Sequence, residues 1–293
     1  MKEMPVHSPP SVLISGCSSG IGHIVAKGLQ ARGWLVFATA RQHNDVARLA
    51  DEGFVALQLD IADDTSIRSC VDQVLTHTGG RLDALFNNAG FGVPGAVEDV
   101  SRDAMRHQFE TNVFGSLALT NAVLPAMRRQ GRGRILFNSS VLGFAAMPYR
   151  GAYNASKFAL EGLADTLRLE LAGSGIHVSL IEPGPIASRF RANAQLQFDR
   201  WIDEAASVHA PAYRAMRARL ARAGPAAPFT LPPEAVLQVV IAALDADRPA
   251  ARYRVTVPTH VFWWLKRLLP TRLLDLVLLR ASGDEPGHVY GRK

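Results

Sequence analysis

Val12-Leu-Ile-Ser-Gly16-Cys-Ser-Ser-Gly20-Ile21-Gly22 sets the frame for the rest of the chain. It opens as a short apolar, β-branched run, passes through a glycine-rich turn and continues into a helical pattern near residues 20–31. Glycine allows a tight turn and lets another molecule approach the backbone closely. The N-terminus of the following helix presents free N–H groups and the positive end of its dipole, which suits a pyrophosphate. The spacing is Gly-x3-Gly-x-Gly rather than the commoner Gly-x-Gly-x2-Gly. Taken alone, it could be no more than a tight strand-to-helix connection.

Working outward, more runs of the same kind follow. Trp34–Thr39, Val55–Leu59, Ala84–Asn87, Arg134–Asn138 and Val178–Ile181 read as strands, with Val12–Ser15 as the first. Helical patterns lie near 64–77, 102–129 and 152–172. This alternation predicts βαβ units and a parallel sheet covered on both faces. The fold class is therefore α/β: a Rossmann-like doubly wound parallel sheet of about seven strands. Residues 1–10 read as a flexible start and 11–257 as the sheet domain, with an Arg- and Ala-rich helical insertion at 189–226. A helix near 233–245 and a strand near 252–257 complete the domain, and 258–293 forms an apolar helical tail.

The second strand ends Phe37-Ala-Thr-Ala-Arg41. In dinucleotide-binding folds an acid at this point binds the ribose 2′-hydroxyl, whereas an arginine accommodates a 2′-phosphate. Arg41, with no Asp or Glu at the strand end, points to NADP(H) in preference to NAD(H). Ser18 or Ser19 can add a hydrogen bond to the phosphate. Asp60, in Leu57-Gln-Leu-Asp-Ile61, can accept from the adenine amino group; its alternative role is to cap the next helix.

Tyr153-Asn-Ala-Ser-Lys157 begins a stretch that reads as a helix. Four residues return the second side chain to the face of the first, so phenol and ammonium are neighbours. A nearby cation favours the phenolate and is expected to draw the tyrosine pKa down towards neutrality. The pair is a way to build a general acid/base from tyrosine.

The 293-residue chain is 48% hydrophobic, enough for a sizeable core. Its start is polar and carries no signal-peptide core. Cys17 and Cys70 are the two cysteines, which argues against a disulfide framework and for a reducing cytoplasm. The net charge of +6 is spread along the chain, and no nucleic-acid motif accompanies it. His23, His77, His107 and His177 lack metal-ligand spacing and read as surface or packing residues.

With these residues assembled, the chain resembles the short-chain dehydrogenase/reductase family over residues 12–188. The motifs stand in the family's order: Gly16-x3-Gly20-Ile-Gly22, Asn87-Asn-Ala-Gly90, Asn112, Ser140, Tyr153-x3-Lys157 and Pro183-Gly184. Within the family it looks like the 17β-hydroxysteroid and retinol dehydrogenase branch, and its ending looks like that of bacterial NADP-dependent aldehyde reductases. The resemblance implies that Tyr153 handles the proton and that Lys157 tunes it and binds the nicotinamide ribose. Ser140 would orient the carbonyl. Adjacent Ser139 should face the other side of the strand. Asn112 would hold a water linking Lys157 to solvent. Asn88, Ala89 and Gly90 would line the adenosine and ribose. Pro183-Gly184-Pro-Ile186-Ala-Ser188 would run past the nicotinamide, with Ser188 where threonine is usual. Homodimers or homotetramers through the long helices are also implied.

The function this implies is interconversion of an aldehyde or ketone and an alcohol by hydride transfer. An alternative is a non-catalytic NADP(H)-binding redox sensor. Phe190, Phe198, Trp201, Tyr213 and Met216 in the insertion could cover a hydrophobic small-molecule substrate, and its arginines leave room for an acidic tail. Val261–Pro270 and Thr271–Arg280 are apolar pieces, each too short for the roughly 20 residues that span a bilayer. They read either as packing on the domain or a second subunit, or as an interfacial helix at 261–280 touching membrane or lipid substrate; the latter would make it a membrane-surface lipid, retinoid or steroid dehydrogenase.

Overall fold

The computed structural model describes residues 8–221, 224–225 and 227–283. The expected N-terminal stretch at 1–7, three residues of the insertion and the last ten of the tail therefore lie outside the described residues.

Seven parallel strands form one sheet in the order β3-β2-β1-β4-β5-β6-β7. They are β1 (Ser11–Ile14), β2 (Leu35–Ala40), β3 (Val55–Gln58), β4 (Ala84–Asn87), β5 (Gly133–Asn138), β6 (Ile176–Glu182) and β7 (Arg252–Arg254). The doubly wound parallel sheet is thus the one the alternation implied. β1 through β6 are fed by apolar runs because the sheet is covered on both sides. On one side Leu13, Phe37, Leu85, Ile135 and Val178 pack with Val71, Leu119, Met127 and Leu160. On the other, Val12, Ile14, Val36, Phe86 and Ile181 pack with Val25, Leu29, Val236 and Val240. Alternate residues of one strand serve the two layers, as the pleat requires.

The helices in chain order are α1 (Gly20–Ala31), α2 (His43–Asp51), α3 (Asp64–His77), α4 (Arg102–Phe109), α5 (Ser116–Gln130), α6 (Gly151–Glu170), α7 (Phe190–Trp201), α8 (Ala210–Ala221), α9 (Glu234–Asp245), α10 (Val257–Leu268) and α11 (Thr271–Ala281). Three departures from the sequence reading are instructive. α2 was not anticipated: it is polar and buries only Leu49 fully, so its periodicity is faint. The single helix expected at 102–129 is interrupted by a π-helical turn, Glu110–Gly115. That turn lets Gly115 press onto the backbone of Ile61, where a Cβ would sit 2.1 Å from the carbonyl oxygen. The strand expected at 252–257 stops at Arg254, because Pro258 in the first turn favours a helix start and Thr256 becomes its cap.

The chain order reverses between β1 and β4, so the loops leaving these two strands diverge. A crevice opens there, at the C-terminal ends of the strands. The insertion and the tail each add a small apolar cluster above it. α7 and α8 join Ala96 through Phe198, Ile202, Tyr213 and Met216. α10 and α11 bring Phe262 and Leu278 onto Val141 and Ala145.

Candidate active site

One cleft of about 1540 Å³ runs from Arg41 and Asp60 at one end to α10 at the other. Ordinary ligand pockets hold roughly 300–1,000 Å³, so the cleft has room for a large cofactor and a second molecule. The expected cofactor residues line it with one exception, Gly22, which packs behind the turn.

The turn after β1 is built by glycine geometry. Gly16 and Gly20 adopt φ values of +73° and +61°, in the left-handed region. A Cβ on Gly22 would lie 2.3 Å from the Gly16 oxygen and 2.5 Å from Asn88 Nδ2. Asn88 ties the turn to the end of β4, donating to the carbonyls of Ser15 and Gly16 at 3.0 Å each. Ser15 Oγ accepts in return from the N–H groups of Asn88 and Ala89. Arg48, on the unanticipated α2, donates to the Ser18 carbonyl at 2.6 Å. Helix α1 has no acidic residue in its first turn and no side-chain cap from Ser19, so its first N–H groups face the cleft unclaimed. This is a cradle for an anionic phosphate group.

At the far end of this cradle Arg41 is exposed and lines the cleft. Asp45 lines it too, but its carboxylate is held by Arg48 at 3.2 Å. The helix-cap alternative for Asp60 does not hold. Asp63 caps α3 by accepting from Thr65 N, while Asp60 Oδ1 accepts from Ala62 N at 3.0 Å and the residue borders the cleft with Ile61.

Tyr153 stands near the other end, in the first turn of α6. Its hydroxyl lies close enough to Ser140 for the serine hydroxyl to favour the phenolate, and Ser140 Oγ accepts from Leu142 N at 3.1 Å. Ser139 is turned away and donates to Glu161 Oε1 at 2.5 Å, so the two serines do face opposite sides. Lys157 Nζ donates to the Asn138 carbonyl at 2.6 Å and sits 5.6 Å from the centre of the Tyr153 ring. Gly90 leaves the space where these groups meet: a Cβ there would be 3.2 Å from Asn112 Oδ1 and 3.8 Å from Lys157 Nζ.

The electrostatics correct one expectation. Lys157 does not draw the phenol towards neutrality. Burial dominates and pushes the Tyr153 hydroxyl up to about 12, against a lowering contribution from Ser140. Burial also brings Lys157 down to about 8, against the pull of Glu161 one helical turn on. At neutral pH the pair is therefore a protonated phenol beside a largely protonated amine.

Asn112 lies in the π-helical turn, buried behind the cleft. Both of its amide N–H donors are occupied. Oδ1 accepts from Phe91 N at 3.1 Å, and Nδ2 donates to Phe91 O and Ser156 Oγ. The amide thus fixes the loop after β4, and no direct hydrogen bond joins it to Lys157 among the described residues.

Pro183, Gly184, Ile186 and Ser188 follow β6 along the cleft. Ser188 leans on the phosphate turn, 3.2 Å from where a Cβ of Gly20 would be. Gly184 leaves room for the start of α10, since a Cβ there would meet Thr256 Oγ1 at 2.1 Å.

Several cleft residues escaped the sequence reading. His107 lines the cleft and stacks between Phe91 and Trp201, with ring centres 4.8 and 5.6 Å away. Its sequence context reads as that of a surface or packing residue, and no spacing rule places it here. Asn138, which anchors both Lys157 and Asn88, was hidden at the end of a strand. Phe190, which the sequence did offer as a cover for a substrate, packs edge-on against Tyr153 at 5.3 Å, and Val257, Val261 and Phe262 of the tail complete the wall. Cys17 and Cys70 are buried free thiols, consistent with the absence of a disulfide between them.

A family model for short chain dehydrogenases matches residues 10–198. The chain is 44% identical over 269 residues to the uncharacterized oxidoreductase YbbO of Escherichia coli, covering 92% of this chain and 93% of that protein. It is 34% identical over 291 residues to human 17-beta-hydroxysteroid dehydrogenase type 1, covering 94% and 81%. A short chain dehydrogenase/reductase of Burkholderia phymatum, solved in complex with NAD, superposes with a TM-score of 0.75 at 25% identity over 92% of this chain and 95% of that one. The glycine cradle, the Tyr153–Ser140–Lys157 grouping and the extent of these matches agree: the chain belongs to the short-chain dehydrogenase/reductase family of oxidoreductases.

Proposed function

We propose that the protein is an NADP(H)-dependent reductase that interconverts a hydrophobic aldehyde or ketone with its alcohol. The observation that carries this reading is the convergence of Tyr153, Ser140 and Lys157 at one end of a cleft whose other end is an anion cradle closed by Arg41. Bound NADP(H) supplies or accepts the hydride. This chain's residues do the rest. The N–H groups of α1 and the glycine turn hold the pyrophosphate, and Arg41, with Ser18 or Ser19, takes the 2′-phosphate. Asp60 accepts from the adenine amino group, and Asn88, Ala89 and Gly90 line the adenosine and ribose.

At the reacting end Ser140 hydrogen-bonds the substrate oxygen and aims it. Tyr153 gives that oxygen its proton. A hydroxyl pushed up to about 12 is protonated at neutral pH and so holds the proton to be given. Lys157 stabilises the phenolate left behind and hydrogen-bonds the nicotinamide ribose. The apolar groups around Tyr153, chiefly Phe190, Met147 and Phe262, favour a hydrophobic carbonyl compound. Assembly as a homodimer or homotetramer and a cytoplasmic setting complete the reading.

A panel of aldehydes and ketones followed by NADPH absorbance tests the reaction. Turnover of apolar members is the expected result, and no turnover across the panel overturns it. Arg41→Ala tests the cofactor. Losing a charge-assisted contact of about 1.5–3 kcal/mol should raise the KM for NADPH by roughly 10- to 100-fold and leave that for NADH unchanged. Equal effects on the two would end the 2′-phosphate assignment.

A further inference from the structure

Helix α10 carries an apolar stripe that does not end at the protein surface. Val257, Val261, Trp264 and Leu268 recur at helical spacing and are 54%, 46%, 56% and 71% exposed. Val257 and Val261 at its start line the catalytic cleft, and Trp264 and Leu268 lead away from it. The opposite face of α10 is the buried one, with Phe262 packed on Val141 and Ala145 and Leu265 against the same cluster. α11 repeats the pattern: Leu278 is buried, while Leu273, Leu276 and Leu279 are 50%, 54% and 44% exposed. The rim across the cleft is apolar as well, since Phe190, Leu196 and Phe229 line it and are exposed. The cleft mouth is thus ringed by uncovered apolar side chains that extend into one continuous face.

The charges beside this face are one-sided. Lys266, Arg267, Arg272 and Arg280 are exposed, and the one acid between Val257 and Ala281 is Asp275. Trp263 is sandwiched by Arg254 and Arg267, whose guanidinium carbons lie 3.9 and 3.6 Å from its ring centre. Trp264 meets it edge-on. Aromatic rings flanked by cations beside a leucine face suit the boundary between headgroups and acyl chains. A second copy of this chain fits less well, because symmetric pairing would set like cations against one another. At twelve and eleven residues, neither helix is long enough to cross a bilayer.

We propose that the exposed face of α10 and α11 docks on an anionic lipid surface, and that an apolar carbonyl compound dissolved there enters the cleft along the Val257–Val261–Trp264–Leu268 stripe. The substrate half rests on the reductase reading above; the docking half does not. The cations engage anionic headgroups, the leucines and Trp264 settle at the acyl boundary, and the cleft mouth faces the lipid.

The test uses the full chain and two kinds of vesicle, phosphatidylcholine alone and phosphatidylcholine mixed with phosphatidylglycerol. Flotation should recover the protein with the mixed vesicles and much less with the neutral ones. A Trp264→Glu/Leu268→Glu double variant should lose at least tenfold in vesicle binding. The same variant should keep the reduction rate of a short water-soluble aldehyde, which also certifies its fold, and lose rate on a long-chain aldehyde presented in the mixed vesicles. Failure of the full chain to float, or a variant that floats as well as it, overturns the proposal. So does a variant that merely changes from oligomer to monomer, because the face would then be a protein interface. Stripe-dependent flotation with neither aldehyde reduced upholds docking and defeats the reductase reading instead.

Discussion

The two ends of the cleft are walled by different materials. At the phosphate end the wall is backbone: Gly16 and Gly20 in left-handed conformations, Gly22 packed against the Gly16 carbonyl, and the bare N-terminus of α1. At the substrate end it is side chains from segments far apart in sequence, Phe190 from α7 and Val261 and Phe262 from α10. A backbone wall tolerates almost no substitution, since an added Cβ at Gly22 meets atoms 2.3 Å away. A side-chain wall can be rebuilt residue by residue without touching the sheet. A backbone wall therefore suits a part of a ligand that does not vary, and a side-chain wall a part that does.

The largest effect should come where the two ends meet. Tyr153→Phe keeps the ring against Phe190 and removes only the hydroxyl beside Ser140. Turnover should fall by roughly 10²- to 10⁴-fold, the usual worth of a positioned acid. NADPH binding, followed by fluorescence titration, should be unchanged, because the phosphate wall is untouched. Turnover surviving in this variant would assign the proton transfer to a different donor.

The same division explains what could be read in advance. Glycine spacing, the Tyr-x3-Lys pair and the apolar strands are local signals, each rooted in the conformational needs of a few consecutive residues. They place the sheet and most of the phosphate end. The π-helical turn at Glu110–Gly115 left no local mark, because its cause is the approach of Gly115 to Ile61 from another strand end. His107 and Asn138 are equally silent, since their partners lie 16 to 94 residues away and no periodicity encodes them. The pKa expectation for Tyr153 failed for a related reason. Helical geometry brings a cation near, but the burial that outweighs it is a property of the whole fold.

A smaller effect tests whether the tail belongs to the substrate wall. Phe262 is buried against Val141 and Leu278 and also lines the cleft. Truncating a buried phenylalanine costs about 3–5 kcal/mol in a well-packed core. Phe262→Ala should thus lower the denaturation midpoint and raise the KM for an apolar aldehyde, with NADPH affinity unmoved. Loss of stability with unchanged kinetics would make α10 a brace for the Val141–Ala145 loop and nothing more.

The smallest effect concerns a connection behind both walls. Lys157 is faced by Glu161 on its own helix, and Glu161 accepts from Ser139 and pairs with Arg252 at 3.1 Å. Arg252 and Arg254 of β7 in turn flank the buried carboxylate of Glu182, and Asp165 binds Arg252 as well. Lys157 loses its proton near pH 8, so reduction should decline as pH rises through that value. The sign follows from the role: only the cation stabilises the phenolate formed when Tyr153 gives up its proton. Glu161 favours the cation. Glu161→Gln, which keeps the shape and removes the charge, should move this alkaline limb to lower pH. Because Arg252 already neutralises part of Glu161, the movement should be a fraction of a unit, well short of the whole depression caused by burial. A kcat profile against pH for the two proteins reads it directly. An unmoved limb in a variant with an intact circular dichroism spectrum would show that burial alone sets the charge on Lys157, and that the carboxylate serves Ser139 and Arg252 instead.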